Sequence, residues 1–429
     1  MTVSPLNLDE IDLSADRCIK CNVCNAACPV MPATDLFPGP KYCGPQAQRF
    51  RDSLPVESWV DYCSGCGACT RACPSGVKVA ELNARARARI YERKRIPLRN
   101  RMLGRTELLG RLGDPLAPLA NRALTNPLGR AAAERVMGVA RDAPLPRFQR
   151  ESFRRRFPEL PQAPNPRETV AYFHGCSTNY FEPWVGEAMV GVLRQAGIAV
   201  EIPPQQCCAL PMISNGEFDG ARRAAEANIE ALLPSVRAGK RIVATSTSCG
   251  YTLKSEYREV LGLDTPEARE VAAATFDIME LLREEVWAGR LPAFDGVLDR
   301  RVLYHAPCQL RSHGIGLPAA ELLGDLSGIH LAESNVECCG IAGTYGLKKE
   351  KYAIAQRVGA PIRDRADEHH ADLVACDSET CRWQIEHLTG LPARHPVELL
   401  WSVMSPVSHG RDVIRPVMGP VPRETGDTG

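Results

Sequence analysis

The sequence lacks the features that define several classes of protein. It contains no apolar run of the roughly 18 residues that a membrane-spanning helix needs, so any membrane contact is expected to be peripheral. Residues 1–16 include acidic side chains and no apolar stretch of the secretory type, which predicts a cytoplasmic protein with reduced thiols. No glycine-rich dinucleotide fingerprint follows a predicted strand, so the chain is expected to hold no FAD or NAD of its own.

Net charge is nearly absent as well, since 52 Lys and Arg residues against 51 Asp and Glu residues give +1. This balance hides a basic segment, residues 85–156, with 19 Lys and Arg against 6 Asp and Glu, which predicts an anionic partner surface. Arginines are dense at 150–156, but no aromatic platform or zinc-finger spacing accompanies them, which argues against nucleic acid. Apolar residues interleave with the arginines, which favours a membrane-surface or subunit-docking face.

Cysteine is abundant by contrast, and 18 reduced cysteines favour metal binding over disulfides. Two runs match the bacterial ferredoxin pattern Cys-x2-Cys-x2-Cys-x3-Cys-Pro, whose spacing lets three soft thiolates wrap one face of an iron–sulfur cube. In two-cluster ferredoxins, the fourth cysteine of each run binds the other cluster. A pair of zinc sites is the alternative. The predicted ligands are Cys18, Cys21, Cys24 and Cys73 for one [4Fe-4S] cluster, and Cys63, Cys66, Cys69 and Cys28 for the second.

Composition and patterning divide the chain into five segments. The predicted fold class is α+β and α/β: a helical two-cluster ferredoxin-like domain, followed by two tandem α/β cysteine-rich repeats with short parallel sheets. A helix is expected at Val79–Lys94, and further short helices are expected to break at Pro97, Pro115, Pro118 and Pro127. The segments are the ferredoxin-type domain at 1–95, a basic Arg/Pro/Leu-rich helical connector at 96–166, the first repeat at 167–265, a linking helix and the second repeat at 266–400, and a flexible tail at 401–429.

The intervals between cysteines are nearly the same in the two repeats. Thirty residues separate the first cysteine from the cysteine pair in one unit and 29 in the other, and the next intervals are 40 and 41 residues. In each unit the cysteines follow three successive predicted strands, and the carboxyl ends of parallel strands line one edge of a sheet. The cysteines of each unit are therefore expected to converge. The candidate sets are Cys176, Cys207, Cys208 and Cys249 in the first repeat, and Cys308, Cys338, Cys339, Cys376 and Cys381 in the second.

Several interpretations of these sets stay open. The first set is a cluster site, a closed tetrahedral zinc site or a group of buried structural thiols. The second set has a fifth sulfur, which favours a cluster over buried thiols. His174 and His305 each precede a strand-end cysteine, and a satisfied histidine is favoured over a ligand or proton-transfer role. Cys43 stands alone and is predicted to be structural, and no catalytic residue is identified.

Together, the motifs resemble the family with the Cys-Cys-Gly signature, which includes heterodisulfide reductase, glycolate oxidase and lactate-utilisation iron–sulfur subunits. Within it, the likeness is greatest to the branch that serves anaerobic glycerol-3-phosphate dehydrogenases. The resemblance implies a subunit on the inner face of the membrane that takes electrons from a flavin-containing dehydrogenase and passes them to menaquinone. Glycolate or lactate as the electron source and a thiol–disulfide reductase are alternatives. The segments that carry it are Cys18–Cys21, Pro38–Lys41, Phe173–Cys176, Cys338–Gly346 and Cys381–Glu386.

The chain departs from the family signature at three positions. The full pattern has Cys-Cys-Gly and then Cys-x-x-Cys in each unit, but Ala209 replaces a glycine, and Ser246 and Ser378 replace cysteines. Cys376, or the oxygen of Ser378, is the substitute ligand that the second unit offers. The replacements argue against the disulfide-reducing cluster of some relatives and favour an electron relay.

Overall fold

The structure is a computed structural model that describes residues 9–51, 56–291, 294 and 296–404. Of the tail predicted at 401–429, residues 401–404 end the helix Pro396–Met404, and the rest lies outside the described residues. The predicted limits of the five segments stay a prediction. The fold class is confirmed, because a helical N-terminal part precedes two separate four-stranded parallel sheets.

The N-terminal part is a set of short helices around cysteine loops. Its one long helix, Val79–Arg93, ends one residue before the predicted end, and the backbone N–H of Lys78 just before it donates to Ser14 Oγ at 3.1 Å. The other elements are the α-helices Glu10–Ser14, Val23–Ala26 and Ala68–Arg71, the 3₁₀ turns Ala15–Arg17, Met31–Ala33 and Ser58–Tyr62, and the π turn Tyr42–Gln46.

The connector consists of short helices separated where proline was expected to break them. Pro97 caps the first of these helices, Pro118 lies in the first turn of the third, and Pro127 begins the fourth, where its missing N–H costs nothing. The helices are Leu98–Gly104, Thr106–Gly113, Ala117–Thr125, Pro127–Met137 and Phe153–Arg156, followed by the 3₁₀ turn Phe157–Glu159.

The two repeats have the same strand order, with the first strand of each unit lying between the second and third. The fourth strand of each sheet was not predicted, because segments of three and two residues are too short to show a pattern. The first sheet contains β1 (Glu168–Phe173), β2 (Ile198–Glu201), β3 (Ile242–Ala244) and β4 (Thr275–Asp277), and the second contains β5 (Val297–Tyr304), β6 (Ser327–Glu333), β7 (Leu373–Ala375) and β8 (Ala393–Arg394).

Helices cover the two sheets. In the first repeat they are Gly175–Tyr180, Pro183–Gln195, Leu210–Ser214, Phe218–Arg237, Thr247–Tyr251, the π turn Thr252–Glu256, Tyr257–Glu259 and Pro266–Ala274. After β4 they are Ile278–Trp287, Cys308–His313, Pro318–Gly324, the 3₁₀ turn Tyr345–Leu347, Lys349–Glu368, Glu379–Thr389 and Pro396–Met404.

The two sheets share one hydrophobic core, to which Tyr172 of β1 and Tyr304 of β5 both belong. A fully buried ion pair between Arg382 and Glu182 also joins the repeats, and Trp383 Nε1 donates to the same carboxylate at 2.7 Å. Breaking such a pair leaves an uncompensated buried charge, which is strongly destabilising. The repeats therefore form one packed unit.

The arginine-rich stretch at 150–156 packs partly against the first repeat and partly faces outward, and its role as a docking face stays a prediction. Phe153 is completely buried in the shared core. Arg154 donates from Nε to His174 Nε2 at 2.8 Å and from Nη2 to the carbonyl of Pro203 at 2.9 Å. Arg156 pairs with Glu187 at 2.8 Å. Phe153, Arg154 and Arg156 thus anchor the segment on the first repeat, whereas the exposed Arg155 lies 3.5 Å from Asp114 of the connector.

Candidate metal centres

The first predicted cluster set surrounds one small cavity of the N-terminal part. The loop between its cysteines turns tightly because Lys20 and Asn22 adopt left-handed backbone, with φ of 63° and 69°. Burial, together with the neighbouring thiols, raises the pKa of Cys24. Such a thiol loses its proton when it binds iron. The Val77 N–H donates to Cys73 Sγ at 3.4 Å, a bond that favours a charged sulfur. The set consists of Cys18, Cys21, Cys24 and Cys73.

The second set also joins sulfurs from both runs. Burial and the thiols of Cys63, Cys66 and Cys28 raise the pKa of Cys69, and Asn83 Nδ2 donates to Cys63 Sγ at 3.8 Å. The structure thus brings together the cysteines that the crossed pattern groups, and their binding of iron stays a prediction.

Cys43 lies close to the second set but differs from its members. Its thiol is almost fully buried, and burial raises its pKa to about 12. Its backbone carbonyl accepts a hydrogen bond from the Arg51 guanidinium. These contacts agree with the structural role that the sequence predicted for it.

In the second repeat, the predicted cysteines meet beyond the carboxyl ends of β5 and β7. Cys339 Sγ and Cys381 Sγ are 3.0 Å apart, and the Gly340 N–H donates to Cys338 Sγ at 3.3 Å. Hydrogen bonds from the thiols of Cys308 and Cys339 hold the pKa of Cys338 well below its usual range. The thiols of Cys339 and Cys376 lower the pKa of Cys381 in the same way. Two members of this set therefore favour the thiolate that a metal needs.

His305 joins the same group, contrary to the favoured interpretation of it as a satisfied histidine. Its Nδ1 lies 3.0 Å from Ser334 Oγ, while its buried Nε2 has no hydrogen-bond partner among the described residues. One ring nitrogen of His305 and the sulfurs of Cys339 and Cys381 all lie within 4.8 Å of one another. Burial lowers the pKa of His305. A neutral imidazole of this kind offers the nitrogen lone pair that a metal ligand needs.

In the first repeat, the four cysteines also converge. Cys176 Sγ and Cys207 Sγ are 3.9 Å apart, and Cys208 is in hydrogen-bond contact with Cys249. The thiol of Cys207, followed by burial, raises the pKa of Cys176, and all four thiols of this set are shifted upward. Their protonated form is favoured until a metal displaces the protons.

The replaced positions of the first repeat have local roles. Ser246 Oγ accepts a hydrogen bond from the Cys249 N–H at 3.3 Å and caps the helix Thr247–Tyr251. Ala209 adopts left-handed backbone with φ of 72°, a conformation that suits glycine. His174 is satisfied at both nitrogens, by Arg154 and by the carbonyl of Gly175.

The comparisons with known proteins agree with this geometry. A 4Fe-4S dicluster domain matches residues 14–77, and a cysteine-rich domain matches residues 170–254 and again 302–386. The chain is 38% identical over 395 residues, 91% of its length and 98% of the relative, to a subunit of the anaerobic glycerol-3-phosphate dehydrogenase of Escherichia coli K12. The chain belongs to this family of iron–sulfur subunits. Like its relatives in this family, it is an iron–sulfur electron-transfer subunit of an oxidoreductase.

Two more distant members of the iron–sulfur subunit family span nearly the whole chain. The glycolate oxidase iron–sulfur subunit of Escherichia coli K12 is 29% identical over 91% of this chain and 94% of its own length. A subunit of the dihydromethanophenazine:CoB–CoM heterodisulfide reductase of Methanosarcina barkeri is 21% identical over 89% of this chain and 91% of its own length.

Within the described part of the chain, the helices are all too short or too polar to cross a membrane.

In this iron–sulfur subunit the second ferredoxin set abuts the second repeat. Burial and the thiol of Cys338, from the second repeat, raise the pKa of Cys66. Arg71 joins the two regions, donating from Nη1 to the carbonyls of Cys66 and Cys308, each at 3.1 Å. Its Nη2 pairs with Glu337 at 2.6 Å. The two cysteine sets are thus held next to each other by one guanidinium.

A buried group of charges lies beside the same junction. Lys351 Nζ donates to both the carbonyl and Oδ2 of Asp61, each at 2.6 Å, and Arg87 donates to the carbonyl of Cys63. Burial, followed by repulsion from Lys351, lowers the pKa of Lys348 to about 7. With Lys348 charged, three cations face one carboxylate. This excess of positive charge stabilises negative charge on the neighbouring cysteine thiolates and on a metal cluster that they would bind. Sequence reasoning missed this group, because Asp61 and Lys351 are 290 residues apart.

Proposed function

We propose that this subunit takes electrons from a separate flavin-dependent dehydrogenase of glycerol 3-phosphate and passes them to the membrane quinone pool. A flavin accepts two electrons as a hydride, whereas iron–sulfur clusters carry one at a time, so a series of clusters is a natural link to a quinone. The relative that is 38% identical, which belongs to an anaerobic glycerol-3-phosphate dehydrogenase, supports this electron source.

The convergent thiols support a proposal for the metal content. Soft thiolates in groups of four or more suit iron–sulfur clusters, and several of these sulfurs accept N–H donors that stabilise their charge. The first repeat is proposed to hold a further cluster or a zinc ion. The proposed ligands are Cys18, Cys21, Cys24 and Cys73 for one [4Fe-4S] cluster, Cys28, Cys63, Cys66 and Cys69 for a second, and Cys308, Cys338, Cys339 and Cys381 with Cys376 and His305 for a third.

The observation that carries the proposal is the contact between the second ferredoxin set and the second repeat. Arg71 bonds to the carbonyls of Cys66 and Cys308 at once, so neighbouring ligands of the two sets are held by one side chain. Cys21, of the first ferredoxin set, is exposed. This order favours a path that begins at the surface near Cys21 and continues into the repeats.

The outer face of the connector supports peripheral binding to the inner face of the cell membrane. Its apolar side chains are largely exposed: Leu119 is 69% exposed, Leu128 81% and Val136 82%. They lie within the basic segment 85–156. Exposed leucines among arginines are typical of a helix on a lipid surface, where each basic residue near anionic lipid is worth about 1 kcal/mol. We propose that this face rests on an anionic leaflet.

Anaerobic reduction of the purified holoprotein tests the electron source. The flavin-containing glycerol-3-phosphate dehydrogenase is added with its substrate, and bleaching of the visible cluster absorption is followed. Rapid bleaching that requires both enzyme and substrate is expected, followed by recovery of the colour on addition of a quinone. No bleaching by this pair would end the assignment to glycerol 3-phosphate.

A second candidate electron source is glycolate, because the glycolate oxidase subunit matches 91% of the chain. The same assay with a glycolate dehydrogenase flavoprotein separates the two sources. Bleaching by the glycolate pair alone would favour this candidate. The lowered thiol pKa values of Cys338 and Cys381 suit a disulfide reductase. Faster recovery of the colour with a disulfide than with a quinone would favour that reaction.

A further inference from the structure

A cavity of about 510 Å³ lies where the ferredoxin region, the connector and both repeats meet. This volume includes the space that metal held by the lining cysteines would fill, so a further molecule would occupy the remainder, on the side of the connector. One wall carries candidate cluster ligands from three regions, Cys66, Cys249 and Cys338 among them. Trp383 and Phe181, which stack edge to face, line it as well. The cavity therefore combines a redox wall with aromatic surface.

Another part of the lining comes from the connector and is mostly apolar. Leu103, Leu124 and Met137 lie there with Ala120 and Phe148. Among the described connector residues that line the cavity, none carries a thiol, an imidazole or a carboxylate. These connector residues would therefore not serve as ligands of metal bound by the cysteines. Their apolar side chains suit contact with a lipophilic molecule.

We infer that this cavity is the site at which the subunit reduces a lipophilic quinone, an inference that rests on the proposed function. The geometry also points to a route from the membrane. Ala120 lines the cavity, while the adjacent Leu119 of the same short helix is exposed to the outside. A quinone dissolved in lipid at the connector's outer face would pass between these helices without crossing water.

The reaction balances with groups that line the cavity. Reduction of a quinone to a quinol takes two electrons and two protons, and metal held by the lining cysteines would supply the electrons one at a time. Glu256 and Glu259 both line the cavity, and Glu259 pairs with the half-exposed Lys78 at 2.8 Å. Burial raises the pKa of Glu256 to about 7, so this carboxyl group is partly protonated at neutral pH. Protons from water would be transferred by way of the Glu259 and Glu256 carboxyl groups to the quinone oxygens.

Binding of a soluble quinone to variants of the holoprotein tests the site. The probe is 2,3-dimethyl-1,4-naphthoquinone, whose substituted ring positions prevent addition to thiols. Ala120→Trp fills the connector side of the cavity and is expected to weaken probe binding about ten-fold or more. Thr125→Trp, an exposed position on the same helix, is the matched control and is expected to bind as the wild type does. Iron content and far-ultraviolet circular dichroism show that each variant is folded and loaded.

A second occluding variant protects the test against misfolding of the first. Ala84→Phe narrows the cavity from the helix Val79–Arg93, and weaker binding is again expected. Normal binding to both loaded variants, or no binding to the wild type, would overturn the inference. The inference would also be overturned if Thr125→Trp weakened probe binding as much as Ala120→Trp does.

The electron source does not enter this test, because dithionite reduces the clusters before the probe is added. Slow oxidation of reduced Ala120→Trp by the probe, with normal cluster reduction by the flavoprotein, supports the site. Normal oxidation by the probe in both occluding variants excludes this cavity even if the flavoprotein reduces the clusters. Failure of the flavoprotein step alone refutes the proposed donor and leaves the cavity result standing.

Discussion

The two cysteine-rich repeats share a strand order and a cysteine spacing, yet their cysteines lie in different electrostatic surroundings. In the second repeat, hydrogen bonds from neighbouring thiols lower the pKa of Cys338 and Cys381, while the pKa of Cys308, Cys339 and Cys376 is raised. One ring nitrogen of His305 lies near the sulfurs of Cys339 and Cys381. In the first repeat, all four cysteine pKa values are raised, and the matching histidine is bonded to Arg154. The two repeats thus share a fold, but their cysteine sites differ in thiol pKa values and in the hydrogen bonding of the nearby histidine. Among the described residues, Arg71 links the second site, and not the first, to the ferredoxin region.

The two sites also differ in the charged side chains that lie near them. The backbone N–H of Cys207 in the first repeat donates to Glu107 of the connector at 2.7 Å, so an anion approaches that site. At the junction of the second repeat with the ferredoxin region, the cation Lys351 instead pairs with Asp61 and lies over the ring of Tyr345. Duplicated folds diverge in function through what packs against them, since fold alone does not fix a site's chemistry.

The largest effect is expected from matched cysteine variants. Cys338→Ala removes a second-repeat thiol that acts on Cys66 of the ferredoxin set, and should slow quinone reduction by roughly 100-fold or more. Cys207→Ala, the equivalent position of the first repeat, should slow it much less, because that sulfur does not line the central cavity. Stopped-flow oxidation of the dithionite-reduced proteins measures both rates. Equal losses would show that the repeats contribute alike and would break the comparison.

A second test exchanges residues at the Cys-Cys-Gly position. Gly340 has φ of 88°, and a Cβ there would lie 2.0 Å from the carbonyl oxygen of Ala355. Gly340→Ala should therefore destabilise the protein by about 3 kcal/mol or more. Ala209→Gly, with φ of 72° at the matching place, should raise stability by up to about 1 kcal/mol through relief of strain. Anaerobic thermal unfolding followed by circular dichroism gives both shifts.

An unchanged melting temperature in Gly340→Ala would mean that the loop after the cysteine pair rearranges easily. A lower melting temperature in Ala209→Gly would mean that backbone entropy outweighs the strain at that site. Either result would remove the structural distinction between the two cysteine-pair loops.

The histidines offer a third test with a spectroscopic readout. His305→Ala removes the imidazole that lies within 4.8 Å of Cys339 and Cys381, and should change the paramagnetic resonance signal and midpoint potential of the second-repeat metal. His174→Ala removes the acceptor for Arg154, and should leave that signal unchanged while costing about 1 kcal/mol of stability. Identical spectra for His305→Ala and the wild type would place the imidazole outside the metal site.

Much of this architecture is legible in the sequence, because it follows from short-range rules. The ferredoxin spacing predicts the crossed cysteine groups, proline predicts the breaks in the connector, and the repeated intervals predict two matching sheets. The differences between the repeats are not legible. His174 and His305 occupy equivalent positions, and their roles diverge because Arg154 reaches only one of them. The cavity escapes sequence reasoning for the same reason, since four separate regions line it.

The smallest expected effect is on a midpoint potential, and it concerns Lys351, a buried cation of the second repeat that contacts the ferredoxin region. Lys351 is almost fully buried, bonds to Asp61 and lies 4.9 Å from the ring centre of Tyr345. Lys351→Met keeps the length of the side chain and removes one positive charge. Because positive charge stabilises the more negative, reduced state of a neighbouring cluster, the midpoint potential of the second ferredoxin cluster should fall by on the order of tens of millivolts.

The exposed neighbour Lys349 provides the control, since Lys349→Met removes the same charge at a solvated position where screening is strong. Redox titration followed by paramagnetic resonance separates the two ferredoxin clusters. A fall confined to one cluster in Lys351→Met, with both potentials unchanged in Lys349→Met, assigns the shift to the buried charge. Equal shifts in the two variants would mean that Asp61 already neutralises Lys351, and the electrostatic contrast between the repeats would then rest on the thiols and His305 alone.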